Sequence, residues 1–216
     1  MLSFFLDLDG TLYPAETGLW PEIKRRITLF LQLRLGLSPR EAESLHAYFV
    51  RRYGTTLRGL QSEYPQISPH DYFAFAHNVN LERYLKPDPH LRELLCSLPG
   101  QRWVFTNSDA AYAERVLSVL GVRECLHGII DIFATGLTPK PHPRAYALAR
   151  EKAGSPSPNC CILVDDLPQN LPPAKKAGWH TVLVGKAHSD FADFSIPNIY
   201  QISQILEERP WNGCLS

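Results

Sequence analysis

No stretch of the 216-residue chain comes near the ~18 consecutive apolar residues that a membrane-spanning helix needs. Nor does it open like a secretory leader, since MLSFFLDLDG has no basic start and meets two aspartates by Asp9. A cytoplasmic protein without a membrane partner is expected. A surplus of charge is also missing. There are 22 basic and 22 acidic residues, with a pI near 7.1. That balance leaves no basic excess for holding a nucleic-acid polymer. Cysteine is sparse and poorly spaced for a scaffold or a metal. The five, Cys96, Cys125, Cys160, Cys161 and Cys214, are odd in number and include no Cys-x-x-Cys pair. Reduced, mostly buried thiols are expected, rather than a disulfide framework or a zinc site. Internal repeats and low-complexity tracts are absent as well. The composition, 44% hydrophobic, 11% aromatic and 20% charged, is that of a folded globular protein and not of a disordered one. At ~150 residues per domain, the length suits one large domain or one domain with an insertion.

What is present is an alternation. Leu2 to Leu8 is short, apolar and aromatic, and reads as a buried strand ending in the turn Asp9-Gly10-Thr11. Similar runs recur at Gln101 to Asn107, Gly128 to Ala134, Cys160 to Asp165 and His180 to Val184. Helical patterns separate them at Ala110 to Leu120, Pro143 to Ala153 and Asn170 to Ala177. Strands alternating with helices predict an α/β fold, a Rossmann-like parallel sheet with helices on both faces. From Glu16 to Leu85 the pattern is helical only. Pro21 can open a first helix that runs to Leu35. Ser38, Pro39 and Glu41 make a capping-box start for a second, ending near Arg52, and Ser68-Pro69-His70-Asp71 starts a third, ending near Asn78. Tyr53 to Leu60 (YGTTLRGL) reads as a loop or helix junction. The expected organisation is a core from residues 1–15 and 86–216, with a helical domain, 16–85, inserted after the first strand.

In a parallel sheet, ligands gather beyond the carboxyl ends of the strands. Those ends are polar here: Asp7-Leu8-Asp9-Gly10-Thr11, Thr106-Asn107-Ser108-Asp109, the segment reaching Lys140, and Asp165-Asp166. Asp7 and Asp9 lie two apart and would face the same side of a regular strand. Such a pair suits a hard cation such as Mg²⁺, or a nucleophile with a nearby acid/base. Thr106 and Asn107 offer a hydroxyl and an amide to phosphoryl oxygens. Lys140, kept from the helical region by Pro141, offers an ammonium to neutralise phosphoryl charge. Lys86-Pro87 has the same dipeptide in a linker and is read as surface. Asp165 and Asp166, side by side, repel unless a cation lies near them. Asn170 can brace their loop or help orient Lys140.

Taken in order, DLDGT, TN, Lys140 and DDLPQN resemble the four motifs of the haloacid dehalogenase superfamily of aspartate-nucleophile phosphohydrolases. The helical insertion corresponds to the cap of that family's first cap class. The resemblance implies a two-step phosphate hydrolysis. Asp7 would attack phosphorus to form an aspartyl-phosphate, and Asp9 would protonate the leaving group and then activate water. Mg²⁺ would be held by the Asp7 side chain, the Asp9 main-chain carbonyl and Asp166, with Asp165 binding directly or through water. Thr106 and Lys140 would stabilise the transferring phosphoryl group. The family's dehalogenases lack an acid/base carboxylate at the position of Asp9, so its presence implies phosphate rather than halide. More finely, FFLDLDGTLYP, YGTTLRGL, YLKPDPHLRELLCSLP and FTNSD are similar to segments of the pyrimidine 5′-nucleotidase-like branch. Gly10 departs from that branch, which often has a second Asp there.

This resemblance implies a pyrimidine nucleoside 5′-monophosphate as substrate. The alternative within enzymes is a sugar-phosphate or phosphoglycolate phosphatase or a phosphomutase relative. The alternative from a different class is a non-catalytic phospho-ligand binding or signalling module. Thr55, Thr56 and Arg58 of the helical insertion are candidate substrate contacts. Tyr72, Phe73 and Phe75 could stack on a base, though helix packing suits them better. His46, His70, His77 and His90 carry no metal-ligand spacing. The expected partner is a small-molecule phosphomonoester, met by a monomer or homodimer.

Overall fold

In a computed structural model describing residues 1–208 and 213–214, the apolar opening becomes strand β1 (Ser3–Leu6), with all four residues buried. Four helices follow it: α1 (Leu19–Leu35), α2 (Pro39–Tyr53), α3 (Thr56–Glu63) and α4 (Pro69–Ala76). The chain then alternates through α5 (Pro89–Ser97), β2 (Gln101–Phe105), α6 (Ala110–Leu120), β3 (Gly128–Ile130), α7 (Pro143–Lys152), β4 (Cys161–Asp165), α8 (Leu171–Lys176) and β5 (His180–Val184). It ends in β6 (Phe194–Ile196) and α9 (Ile202–Glu208). The strands form one six-stranded sheet in the order β3-β2-β1-β4-β5-β6, every neighbouring pair parallel. The strand order reverses between β1 and β4, the switch point where such sheets open a crevice for ligands.

Residues of β1 and β4 are apolar without alternation because both faces of the sheet are covered. On one face Phe5, Phe105, Leu163, Tyr146, Leu171 and Trp179 join a single cluster. Phe5 stacks on Trp179 at 4.4 Å between ring centres, and Phe105 meets Tyr146 edge-on at 5.5 Å. On the other face Phe4, Leu6, Val104, Ile162 and Val164 are equally buried. Each such side chain contributes about 1.5–3 kcal/mol by leaving water. That anchors the two central strands and with them their polar ends.

The expected strands are present, but several are shorter. The third stops at Ile130 because the Asp131 carboxylate turns the chain, accepting from the N–H groups of Ala110 at 2.9 Å and Ala134 at 2.8 Å. β6 went unread because it is only three residues long, with Ser195 exposed between its ends.

By its contacts the chain divides into two compact units, residues 1–16 with 85–216 and residues 17–84. In the second unit, Ser38 and Glu41 do form the reciprocal capping box of α2, and Ser68 caps α4. The aromatic residues of α4 serve packing, with Phe30 of α1 meeting Tyr72 at 5.5 Å and Phe75 at 5.6 Å. Of the two readings of Tyr53 to Leu60, loop or helix junction, the structure has the junction, and its second half is already the start of α3. Gly54, at φ 86°, ends α2, and the Thr55 hydroxyl then accepts the Arg58 N–H at 3.1 Å to cap α3. Gly59 is no helix breaker here, since a Cβ at that position would run into the Phe49 ring.

The cysteines are a correction. Cys96 is bonded to Cys125 and Cys160 to Cys214, and only Cys161 is a free, buried thiol among them. Their Cα separations, 4.8 and 5.5 Å, lie within the ordinary disulfide range. Pairings across 29 and 54 residues leave no trace in local spacing, so an absence of Cys-x-x-Cys could not exclude them.

Candidate active site

Sheet register places the first two carboxylates. Leu6 of β1 is level with Val164 of β4, and the next N–H, that of Asp7, still bonds to the Val164 carbonyl at 2.8 Å. Asp7 and Asp165 are therefore level on adjacent strands and point to the same face as Phe5 and Leu163. Two buried like charges so placed repel. Lys140 answers them, with its Nζ 3.0 Å from Asp7 Oδ1 and 2.6 Å from Asp165 Oδ2, above the Phe105 ring at 5.0 Å. Lys140 is 2% exposed and Asp165 0%. Burial pushes the Lys140 ammonium down, but Asp165 and Asp7 outweigh it and hold its pKa above the usual lysine range.

The lysine is fixed from its backbone. Asn107 donates from Nδ2 to the Lys140 carbonyl at 3.0 Å and accepts the Lys140 N–H on Oδ1 at 2.7 Å. The peptide after Lys140, to Pro141, is cis. The side chain expected to contact substrate thus clamps the lysine loop, which corrects the picture of a free amide at Asn107. Asn170 plays the bracing part foreseen for it, donating to both Asp165 oxygens at 2.8 and 3.0 Å. The Leu167 N–H adds a third bond to Asp165 at 3.0 Å, and the Tyr146 hydroxyl holds the Asn170 carbonyl at 2.6 Å. Thr106 is buried at the end of β2, its oxygen accepting the Ser108 N–H at 3.0 Å, which leaves its hydroxyl hydrogen to donate.

Asp7, Asp165 and Asp166 each bring a carboxylate oxygen to within 4.8 Å of the others. Lys140 offsets only one of these three charges. Burial pushes the Asp7 carboxyl well above the usual range; Lys140 opposes this, while Asp165, Asp166 and Asp9 add to the rise. Burial and then Asp165 likewise push Asp166 up to about 6. One Asp166 oxygen, Oδ1, is buried without a hydrogen-bond partner. An all-oxygen set with uncompensated charge and an unpartnered lone pair fits a hard divalent cation such as Mg²⁺. Gly10 makes room for this set. Its φ is +82°, and a Cβ there would collide with the Asp166 carboxylate.

Asp9 departs from expectation. β1 ends at Leu6, and the chain turns at Leu8, whose carbonyl accepts the Leu12 N–H at 3.0 Å. The period-two rule therefore fails between Asp7 and Asp9, and the Asp9 carboxylate is not part of the cluster. It faces hydroxyls instead. Oδ1 accepts from Tyr112 at 2.7 Å and from Tyr13, and Oδ2 accepts from Ser108 at 3.2 Å. The two tyrosine oxygens are 3.0 Å apart. Burial first, and then the Asp9 charge, push both phenols well above their ordinary range, which keeps them neutral donors. Sequence reasoning missed Tyr13, Tyr112 and Ser108. Tyr13, one turn after Asp9, could have been noticed; Tyr112 has no local signal at all.

Two of the three candidates in the helical unit have local partners. Thr55 caps α3, and Thr56 is buried with its Oγ1 2.7 Å from His46 Nδ1. Arg58 is exposed on the first turn of α3. The structure thus gives both Thr55 and Thr56 a partner within the helical unit.

Comparison with known proteins adds three findings. The family model described as haloacid dehalogenase-like hydrolase matches residues 1–178. The chain is 28% identical to phosphate metabolism protein 8 of Saccharomyces cerevisiae, over 94% of this chain and 72% of that one. Among solved structures, it resembles a haloacid dehalogenase-type (HAD) phosphatase from Thermococcus onnurineus at TM-score 0.63 and 20% identity, over 95% and 98% of the two chains. It resembles the L-2-haloacid dehalogenase of Xanthobacter autotrophicus, with chloropropionic acid covalently bound, at TM-score 0.61 and 17% identity, over 97% and 100%. At these identities both structures speak for the fold alone. A phosphatase and a dehalogenase score alike, so the fold does not choose between the chemistries.

Proposed function

The chain belongs to the haloacid dehalogenase-like hydrolases, and from that premise we propose that it is a Mg²⁺-dependent phosphomonoesterase working through an aspartyl-phosphate on Asp7. The observation that carries this reading is the buried set of Asp7, Lys140 and Asp165, with one Asp166 oxygen unpartnered beside it and Asp9 held apart. Asp7, Asp166 and Asp165 would hold the cation with the Asp9 main-chain carbonyl, and the bound ion would offset charge on the phosphoryl oxygens. Lys140 adds a fixed positive charge at the Asp7 carboxylate, which an anionic phosphate must approach. Thr106 can donate its hydroxyl hydrogen to a phosphoryl oxygen.

In the first step an Asp7 oxygen bonds to phosphorus while the ester P–O bond breaks, and the leaving oxygen takes a proton from Asp9. In the second, water adds to phosphorus, the Asp7–phosphorus bond breaks, and Asp9 takes the water's proton. A carboxylate at position 9 favours phosphate ester over halide, because an alkoxide leaving group needs a proton and a halide does not.

For substrate we propose a pyrimidine nucleoside 5′-monophosphate, on the similarity of FFLDLDGTLYP, YGTTLRGL and FTNSD to that branch. Arg58, whose charged side chain is exposed, is the helical unit's remaining candidate contact. The name of the yeast relative, with its reference to phosphate metabolism, agrees with the chemistry. We place the enzyme in the cytoplasm as a monomer or homodimer, although its two disulfides would have to survive a reducing compartment there. Among the described residues, no helix is long and apolar enough to cross a membrane.

The test is phosphate release from UMP, CMP, AMP, GMP, phosphoglycolate and hexose phosphates, with Mg²⁺ and with chelator. Mg²⁺-dependent release led by UMP and CMP is expected. Release led by sugar phosphates or phosphoglycolate would keep the chemistry and move the substrate, and no release from any compound would overturn the phosphatase reading.

A further inference from the structure

The proposed reaction asks Asp9 for a directed proton transfer, yet a free carboxylate has two equivalent oxygens and can rotate. Three hydroxyls remove that freedom. Tyr13 and Tyr112 each donate one hydrogen to Oδ1, so this oxygen already accepts two hydrogen bonds. Ser108 takes one position on Oδ2, and among the described residues nothing takes the other. Ser108 also lies in the turn built on the Thr106 hydroxyl oxygen, so Oδ2 is the oxygen on the side of that rim. Both tyrosines are almost fully buried, at 4% and 1% exposure, and lie within the same compact unit as Asp9. Holding Oδ1 in this way also keeps a fourth carboxylate out of the Asp7, Asp165 and Asp166 set.

We infer that Tyr13 and Tyr112 are positioning residues that fix Asp9 so that Oδ2 alone carries the transferred proton and the side chain stays out of the cation cluster. This rests on the phosphatase reading for its chemistry but not for its geometry. The proton moves from Oδ2 to the leaving oxygen as the P–O bond breaks, and returns to Oδ2 from the attacking water. The two tyrosines exchange no proton in either step.

The consequence is a dependence on the leaving group. A nitrophenolate departs with little help, whereas the alkoxide of a nucleoside or an alkyl phosphate needs the acid. In the Tyr13→Phe/Tyr112→Phe double variant, kcat for an alkyl phosphate should fall by ~10²-fold, the scale of general acid catalysis, and for p-nitrophenyl phosphate by only a few-fold. Each single variant should lose less than half of that on a logarithmic scale, since one hydroxyl still holds Oδ1. An equal loss on both substrates, or none, would overturn the inference, because a merely structural role moves both alike. A second arm needs no turnover. In a crystal structure of the double variant grown with Mg²⁺, the Asp9 carboxylate should have left Ser108 and turned toward Asp7 and Asp166. Asp9 unmoved there would overturn the inference even if the wild-type protein releases no phosphate, an outcome that would count separately against the phosphatase reading.

Discussion

The sheet ends and the helical unit use similar residue types to opposite ends. At the sheet ends, Asp7, Asp165 and Lys140 are brought together by strand register and a clamped loop, and their charges remain turned on one another across separate segments of chain. In the helical unit, Thr55 and Thr56 are consumed within ten residues of themselves, by a cap and by His46. A polar side chain in a short-range motif is satisfied by its own backbone, while one at the end of a buried parallel strand is left to find partners across the sheet. Only the second arrangement leaves unbalanced charge for a ligand.

Substitutions can break or sharpen this contrast. The largest effect is expected from Asp7→Asn. It should cost at least about 10⁴-fold in kcat with an unchanged circular dichroism spectrum, and appreciable retained turnover would remove Asp7 from the nucleophile's place. Lys140→Met should follow, because it strands Asp7 and Asp165 together. A loss of about 10²–10³-fold in kcat is expected with about 3–5 kcal/mol of stability by urea unfolding, and a variant as stable as wild type would show that the carboxylates do not need the ammonium. Gly10→Asp, which installs the residue common in the nucleotidase branch, should destabilise by about 1–3 kcal/mol through its positive φ and weaken Mg²⁺ binding through its collision with Asp166. Calorimetry showing tighter Mg²⁺ binding would contradict that geometry. The smallest effects belong to the helical unit. Thr55→Ala should cost about 1 kcal/mol as a lost cap and Thr56→Val about 1–2 kcal/mol as a lost buried hydrogen bond, both with KM for the best substrate unmoved. A raised KM in either would return that hydroxyl to substrate binding.

The same contrast explains what was legible beforehand. The sheet, its helices and the placing of Asp7, Thr106, Asp165 and Asp166 at strand ends could be read because apolar runs mark strands and these polar residues sit where the runs stop; Lys140, on a loop well beyond the end of β3, could be picked out only through the order of the four motifs. Ser38 with Glu41 could be read because a capping box is local. What escaped was non-local or locally ambiguous. Tyr112 reaches Asp9 from 103 residues away, and the disulfides close gaps of 29 and 54 residues. Asn107 has an evident polar side chain, but its task depends on a loop 33 residues later. The need for a glycine at position 59 could not be read, because its reason, the Phe49 ring, lies on another helix. The expected shared facing of Asp7 and Asp9 rested on a periodicity that holds only while the strand lasts, and the strand stops at Leu6.

Whether Asp7 carries the phosphoryl group can be seen by mixing the protein with Mg²⁺ and the best phosphomonoester, quenching in acid during turnover, and sequencing the peptides by mass spectrometry. A phosphate adduct on Asp7 that is absent from Asp7→Asn is expected. An adduct on another residue, or an Asp7→Asn protein that releases phosphate at the wild-type rate, would contradict that role for Asp7.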